Sequence, residues 1–278
     1  MGRLSNLEKL KIMIKVSRPL GWIIAPAIFA LGILNSGSNF TPLSIVQLFL
    51  LSFPACLFVY GINDVFDFRS DSSNPRKKLL EGVKLKPSYR PFIMKAVSFL
   101  GIVFVVVSLL TFNIYNILST LLLLFFGYFY SAPPLRFKER PPLDSFTNGI
   151  AYFYLPFLLG FSYGGTVFGI SLKYYLVTLC VMGIHSFSTI MDYGADKKAG
   201  DVTFAIVFGK RIASLFAFLA FFATLLFAGI GTLAWNFYLI FSSILFMIVF
   251  IIPSEKLASW FFKFIFVGFV VAAAVALI

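Results

Sequence analysis

The residues best suited to chemistry are aspartates. Asp64, Asp67 and Asp71 stand in the run Asn63-Asp64-Val65-Phe66-Asp67-Phe68-Arg69-Ser70-Asp71, and Asp192, Asp196 and Asp201 form a second group much later in the chain. The protein has 11 acidic residues, and six of them sit in these two groups. Positions 64, 67 and 71 are spaced i, i+3, i+7 and share one face if a helix continues through them. Carboxylates packed this closely repel one another unless a multivalent cation neutralises them. The donors are all hard oxygens, with no Cys or His among them, which selects Mg²⁺, Mn²⁺ or Ca²⁺ over zinc. Mg²⁺ takes one or two carboxylates and fills its other positions with water and phosphate, so two clusters suit roughly two or three ions bridging a diphosphate. Basic residues stand beside the acids: Arg69, Arg76, Lys77 and Lys78 after the first group, Lys197 and Lys198 around the second, and Arg136 and Lys138 elsewhere. A cationic anion site next to a metal site is what a diphosphate leaving group requires. The Phe, Leu, Ile and Tyr of the remaining chain suit an isoprenoid tail, and aromatic faces stabilise a transient carbocation.

The elements that must position these groups are transmembrane helices. Of the 278 residues, 60% are hydrophobic and 12% charged, with a mean hydropathy of +0.94, a composition that excludes a soluble globular chain. An all-α integral membrane fold follows, because helices pair their own backbone groups in lipid. Nine spans are expected, at about 18–35, 43–63, 92–111, 113–130, 145–164, 172–191, 211–231, 235–252 and 257–277. Pro26, Pro54 and Pro156 fall inside these spans, where kinks are tolerated. Residues 1–16 interleave Arg3, Lys9, Lys11 and Lys15 with Leu4, Leu7, Leu10 and Ile14, the pattern of an interfacial helix lying on anionic membrane lipid.

With nine spans, 22 of the 23 Lys and Arg residues fall on one side of the membrane, and Lys173 alone falls on the other. The positive-inside rule then puts the N-terminus in the cytoplasm and the C-terminus outside, in a multi-pass protein of the cell membrane. The net charge of +12 is therefore a topological signal, and no nucleic-acid partner is expected. Both aspartate groups emerge at helix C-termini on the cytoplasmic face, where the helix dipoles add negative charge. Their paired placement suggests two related halves, helices 1–4 and 5–8, plus a ninth. No convincing secretory cleavage site precedes the first span, so the N-terminus is expected to be retained. Cys56 and Cys180 lie in apolar runs and read as small buried hydrophobes.

Other polar residues have two readings. His185, seven residues before Asp192 and on about the same helical face, is a polar lining residue or a core histidine rather than a base. Tyr60, one turn before Asp64, and Tyr130, at the end of the fourth span, are candidate pocket residues. Gln47 and Asn148 are conspicuous because polar groups are costly inside a membrane, but no role follows from that. The carboxylates would also suit a divalent-cation or anionic-lipid transporter. Transporters place ionisable sites near the midplane on broken helices, however, and here both groups sit at one membrane face.

The whole chain, 1–278 as a single domain, resembles the UbiA superfamily of intramembrane prenyltransferases. Asn63-Asp64-x-x-Asp67-x-x-x-Asp71 matches the first motif of that superfamily, and Asp192-x-x-x-Asp196-x-x-x-Gly200 with Thr203 and Gly209 matches the second. Tyr130-Ser131-Ala132-Pro133-Pro134-Leu135-Arg136-Phe137-Lys138 is similar to its connection after helix 4, and Arg18-Pro19 before the first span also fits. The resemblance implies nine helices around a central cavity that opens toward the cytoplasm, and Mg²⁺-dependent transfer of an allylic prenyl group. Asp64, Asp67, Asp71, Asp192 and Asp196 would hold Mg²⁺ on a prenyl diphosphate, dimethylallyl or longer. Asn63, Arg18, Arg136, Lys138 and Lys197 would support the diphosphate, with Tyr60, Tyr130 and His185 nearby. Ionisation gives an allylic cation, and an electron-rich hydrophobic acceptor attacks it. Asn74-Pro75-Arg76-Lys77-Lys78 with Glu81-Gly82 is similar to the lycopene elongase branch, although Lys78-Leu79-Leu80 replaces the usual glycine run. That branch adds C5 units to a carotenoid alkene. An aromatic or glycerol-phosphate acceptor is the alternative within the superfamily.

Overall fold

The computed structural model describes residues 5–67 and 85–275, and among these every regular element is helical. Asp71, Arg69 and the 74–82 stretch lie outside the described residues. The chain forms two compact units, Met1–Arg136 with Leu155–Gly169, and Phe137–Tyr154 with Ile170–Ile278.

In the first unit, α1 (Asn6–Val16) opens with a capping box. The Ser5 N–H donates to Glu8 Oε2 at 2.8 Å, and the Glu8 N–H returns a bond to Ser5 Oγ at 3.2 Å. The bond from the Ser5 backbone holds the exposed Glu8 carboxyl below its ordinary range. Ile12, Met13 and Val16 face inward, onto Leu57, Phe58 and Ile62 of α4 (Phe53–Phe66) and Ile93 and Val97 of α5 (Arg90–Leu109). Leu7, Leu10 and Ile14 point out beside the lysines. A helix with two apolar stripes can pack on the protein and still offer a greasy face.

The prolines fall where new helical segments begin. Pro26 lies in the first turn of α2 (Ile24–Asn35). Pro54 is in the first turn of α4, after a break at Leu51–Ser52 that separates it from α3 (Pro42–Leu50). A first-turn proline lacks only an N–H that has no intrahelical partner anyway. Instead of kinking continuous spans, these prolines restart helices.

α2 packs tightly on α8 (Leu155–Phe161) through Gly32 and Gly160. A Cβ on Gly32 would collide with the Phe157 carbonyl, and one on Gly160 with the Phe29 carbonyl. Such backbone contact is typical of helix pairs in lipid, where packing rather than hydrophobicity holds helices together. Gln47, flagged by its cost, belongs to a buried network. It exchanges amide bonds with Asn116 of α6 (Ile114–Phe129) at 2.7 and 3.1 Å. Ser108 of α5 donates to Asn116 Oδ1 at 2.9 Å, Asn116 donates to Ser162 Oγ at 3.1 Å, and Tyr163 donates to Gln47 Oε1 at 2.9 Å. The network ties together three helices and the chain after α8.

The second unit is built on α9 (Leu172–Met191), which packs along α12 (Lys210–Phe227), which in turn packs along α13 (Leu233–Ile251). Gly183 lies against Ala217 and Ala220, and Phe187, Phe221 and Phe246 form an edge-to-face cluster beside it. Hydroxyls fasten helix to helix: Ser186 Oγ donates to the Ala213 carbonyl at 3.1 Å, and Ser214 Oγ to that of Phe246 at 2.6 Å. Cys180 is buried against Thr224 Oγ1 at 3.0 Å. The stretch expected as one span at 145–164 is α7 (Leu143–Gly149), a π turn (Ile150–Tyr154) and then α8. The last helix, α14 (Glu255–Val275), follows α13.

Among the described residues, six helices are long and apolar enough to cross a bilayer: Pro42–Phe66 taken with its break, Pro87–Leu109, Leu172–Met191, Lys210–Phe227, Leu233–Ile251 and Glu255–Val275. Asn6–Val16 with Pro19–Asn35 is a pair bent by 57°, and Ile114–Phe129 is a shorter apolar helix. Phe99, Ile102, Val106 and Leu109 form an exposed stripe on α5, as expected of a lipid-facing surface.

Thermal unfolding of detergent-solubilised protein tests this packing. Gly160→Val, which must push backbone away from backbone, should destabilise by about 3 kcal/mol or more, the upper end for overpacking. Gly231→Ala, with nothing within 4 Å of the added carbon, should stay within about 0.5 kcal/mol of the parent. Asn116→Leu should cost about 1–2 kcal/mol, and adding Gln47→Leu should cost less than it does alone, because the amide it removes has already lost its partner.

Candidate active site

α4 stops at Phe66, and Asp67 is its C-cap, its N–H bonded to the Asn63 carbonyl at 2.9 Å. The helix therefore does not run on through all three aspartates of the first group. Asp64 is fully buried and Asp67 is 4% exposed. Two arginines from distant segments supply their countercharge. Arg18 follows α1 in a turn where Ser17 Oγ donates to the Ile14 carbonyl and Trp22 Nε1 donates to Ser17 Oγ. Its Nη2 donates to Asp64 Oδ1 at 3.2 Å, while its guanidinium lies 4.1 Å from the centre of the Tyr60 ring. Arg136 comes from the connection after α6 and donates from Nη2 to Asp67 Oδ1 at 3.4 Å. The same connection supplies Ser131, whose Oγ accepts from Asn63 Nδ2 at 3.0 Å. Tyr130 caps α6 and is half-buried. Both arginines adopt left-handed backbone, with φ of 51° at Arg18 and 44° at Arg136, which is unfavourable for a residue bearing a Cβ. Sequence reasoning placed these arginines at phosphate; their guanidiniums face the aspartates.

The second group has a different construction. α9 ends at Met191, and Asp192 is both its C-cap and the N-cap of α10 (Tyr193–Ala199). Asp196 lies in the first turn of α10, with its N–H bonded to the Asp192 carbonyl at 2.8 Å. The expectation that helix C-termini deepen the negative charge is met by α4 at the first group and by α9 at this one, where the α10 dipole presents its positive end and offsets it. Gly200 closes α10 at φ 76°, and Gly209 precedes α12 at φ 88°, so both motif glycines occupy backbone that side chains disfavour. Asp201 N–H bonds back to the Asp196 carbonyl at 3.0 Å. Thr203 Oγ1 donates to Asp196 Oδ2 at 3.3 Å.

Lys138 lies half-buried in the short turn Phe137–Glu139, and Lys197 is exposed on α10. His185, on α9, has Nδ1 3.0 Å from Ser145 Oγ. Sequence reasoning missed two acids. Asp144, at the start of α7, accepts the Ser145 N–H on Oδ1 at 2.7 Å and the Phe204 N–H, opening α11 (Phe204–Phe208), on Oδ2 at 3.0 Å. Glu255 accepts from Lys210 Nζ at 2.7 Å and from the Gly194 N–H at 3.3 Å, with Lys210 also 4.4 Å from the centre of the Tyr193 ring. The available signal was position: each is a lone acid at the mouth of an apolar run, where a charge is expensive.

Among the described residues, no three His, Cys, Asp or Glu side chains converge into a closed metal cage. Each group does present a pair of carboxylates at a helix end, the donor set that suits Mg²⁺ completed by water and phosphate.

The sequence model of the UbiA prenyltransferase family matches residues 23–266. A lycopene elongase/hydratase of Corynebacterium glutamicum is 32% identical over 212 residues, covering 74% of this chain and 72% of that protein. One of Haloarcula japonica is 33% identical over 210 residues, 71% of this chain and 67% of that protein. Among solved structures, a UbiA homologue from Archaeoglobus fulgidus bound to DMAPP and Mg²⁺ superposes with a TM-score of 0.64 at 21% identity, over 92% of this chain and 98% of that one. A structure concerned with digeranylgeranylglyceryl phosphate synthase in membranes gives 0.68 at 24% identity, over 95% and 96% of the two chains. These two likenesses are of fold. With a family match over most of its length, the chain belongs to the UbiA prenyltransferase family and is a prenyltransferase.

Proposed function

We propose that residues 1–278 act as one UbiA-type domain that moves an allylic prenyl group from a prenyl diphosphate to a lycopene-type polyene, adding C5 units. In this reading the domain has nine transmembrane helices in the cell membrane, with the N-terminus and the opening of the site cytoplasmic and the C-terminus outside. The observation that carries it is the pair of ion contacts from Arg18 and Arg136, from opposite ends of a long stretch of chain, to Asp64 and Asp67. Holding two carboxylates and two guanidiniums at one helix end serves a polyanionic ligand better than it serves packing.

Asp64, Asp67, Asp71, Asp192 and Asp196 hold Mg²⁺, with Asp71 outside the described residues. When bound, Mg²⁺ supplies the positive charge that the departing diphosphate oxygens need. Arg18 and Arg136 are positioned to turn from carboxylate to phosphate oxygen, and Asn63, Lys138 and Lys197 add donors. The bond from the prenyl C1 to oxygen breaks with its electron pair leaving on diphosphate. Tyr60 and Tyr130 present aromatic faces to the cation that remains, and His185 lines the wall. The π electrons of the acceptor alkene then form the new carbon–carbon bond, and the cation left on the acceptor loses a proton or takes up water. Support for a polyene acceptor comes from the relatives described as lycopene elongase/hydratase and from the carotenoid-like 74–82 stretch. A digeranylgeranylglyceryl phosphate synthase of Methanocaldococcus jannaschii, 28% identical over 225 residues, favours a glycerol-phosphate acceptor as the second reading.

Purified protein given Mg²⁺, dimethylallyl diphosphate and lycopene should release pyrophosphate, and chelation should stop it reversibly. Asp67→Asn and Asp196→Asn should each slow release by at least ~100-fold, beyond the usual cost of losing an outer-sphere partner. Full turnover in both variants would refute the role of the two groups. Expression in a lycopene-producing host, read by pigment mass, should show gains of one or two C5 units, plain or hydrated. Unchanged lycopene, with transfer to a glycerol-phosphate lipid, would establish the second reading instead.

A further inference from the structure

Thr203 is the N-cap of α11, in extended backbone at φ −114° and ψ 167°, yet its side chain makes no capping bond. A capping threonine normally spends its oxygen accepting one of the first helical N–H groups. Here the first two N–H groups of the helix are held from outside it. The Phe204 N–H goes to Asp144 Oδ2 at 3.0 Å, and the Ala205 N–H goes to Thr189 Oγ1 at 3.0 Å. Asp144 is 1% exposed, and its second oxygen is occupied by the Ser145 N–H. Thr189 Oγ1 meanwhile donates its own proton to the Ser186 carbonyl at 2.6 Å, which fixes it as an acceptor toward Ala205. Both bonds fix the stretch of backbone that follows Thr203, whose hydroxyl donates to Asp196 Oδ2 at 3.3 Å.

We infer that Asp144 is a positioning residue for the second aspartate group. By holding the Phe204 N–H it fixes the backbone next to Thr203, whose hydroxyl orients Asp196 for a divalent cation. The inference rests on the reading that Asp196 ligates Mg²⁺. An aspartate is needed at 144 because both oxygens must accept; asparagine would turn an NH₂ toward one of the two N–H groups.

The test is cation binding rather than turnover. Mn²⁺ is titrated into detergent-solubilised protein with the free ion followed by electron paramagnetic resonance, and thermal unfolding is recorded in parallel. Thr203→Val should weaken Mn²⁺ binding about 10-fold or more with little change in unfolding temperature, and Thr203→Ser should restore it. Asp144→Asn should weaken binding similarly. In the Asp144→Asn background, Thr203→Val should add little, because both changes act along one path. If Thr203→Val and Asp144→Asn bind Mn²⁺ as the parent does, the positioning role is overturned while the metal reading stands. If only Thr203→Val is impaired, Asp144 has no part in it. A parent protein that binds no Mn²⁺ would overturn both readings together.

Discussion

A carboxylate taken out of water and away from a cation is among the most expensive things a chain can bury, and Asp64 is fully buried. Its countercharge, Arg18, belongs to the turn before α2, so that turn must fold against the end of α4 if α4 is to keep its aspartate inside. Asp67 imposes the same demand on the connection after α6, through Arg136. Both arginines accept left-handed backbone, a strain of roughly 1–2 kcal/mol each. Removing one partner of a buried ion pair costs more, about 3–5 kcal/mol. The balance favours the strained turns and helps to hold the two loops in place.

The two aspartate groups solve the problem of charge at a membrane protein's edge in different ways. The first sits at the end of a helix, where carbonyls point toward it, and needs guanidiniums to offset that field. The second bends the chain at Asp192 and starts a new helix, α10, whose first turn carries Asp196. The Thr203 hydroxyl donates to Asp196, and a scaffold of buried acceptors, Asp144 and Thr189, acts on the backbone of α11. Glu255 and Lys210 brace the α10 start from the other side.

How far the fold could be read from residues alone depended on the range of the forces involved. The apolar runs were legible because hydropathy is local, and the run at 172–191 coincides with α9. The motif aspartates were legible because charge is rare in such a chain. The breaks were less so: Leu51–Ser52 and the π turn at Ile150–Tyr154 interrupt runs whose composition does not change there. Partnerships were the least legible. Gln47 meets Asn116, Arg136 meets Asp67 and Asp144 meets Phe204 across long loops, and no periodicity in a helix encodes which residue waits at the other end. Asp144 and Glu255 were overlooked for that reason, each being a single acid whose meaning lies in a distant backbone N–H.

The same distance between composition and contact bears on how the site keeps its geometry. In water, apolar residues choose the interior; in lipid both sides of a helix are equally comfortable for Leu or Phe. On α14 the buried positions are Ala258, Ile265 and Ala272, one narrow stripe, while Trp260, Phe264, Phe266 and Val270 face outward. On α9 the residues that touch neighbours are Gly183, Ser186 and Thr189 rather than the largest apolar side chains alone. Helix position is thus set by close backbone approach and by hydroxyls bonded to particular carbonyls or N–H groups. Thr189 belongs to both systems: it sits on the packing face of α9 and caps the helix that follows the second motif. The packing of the bundle and the aim of Asp196 therefore share residues, and a shift of α9 against α11 would be felt at the carboxylate before it was felt as a loss of apolar burial.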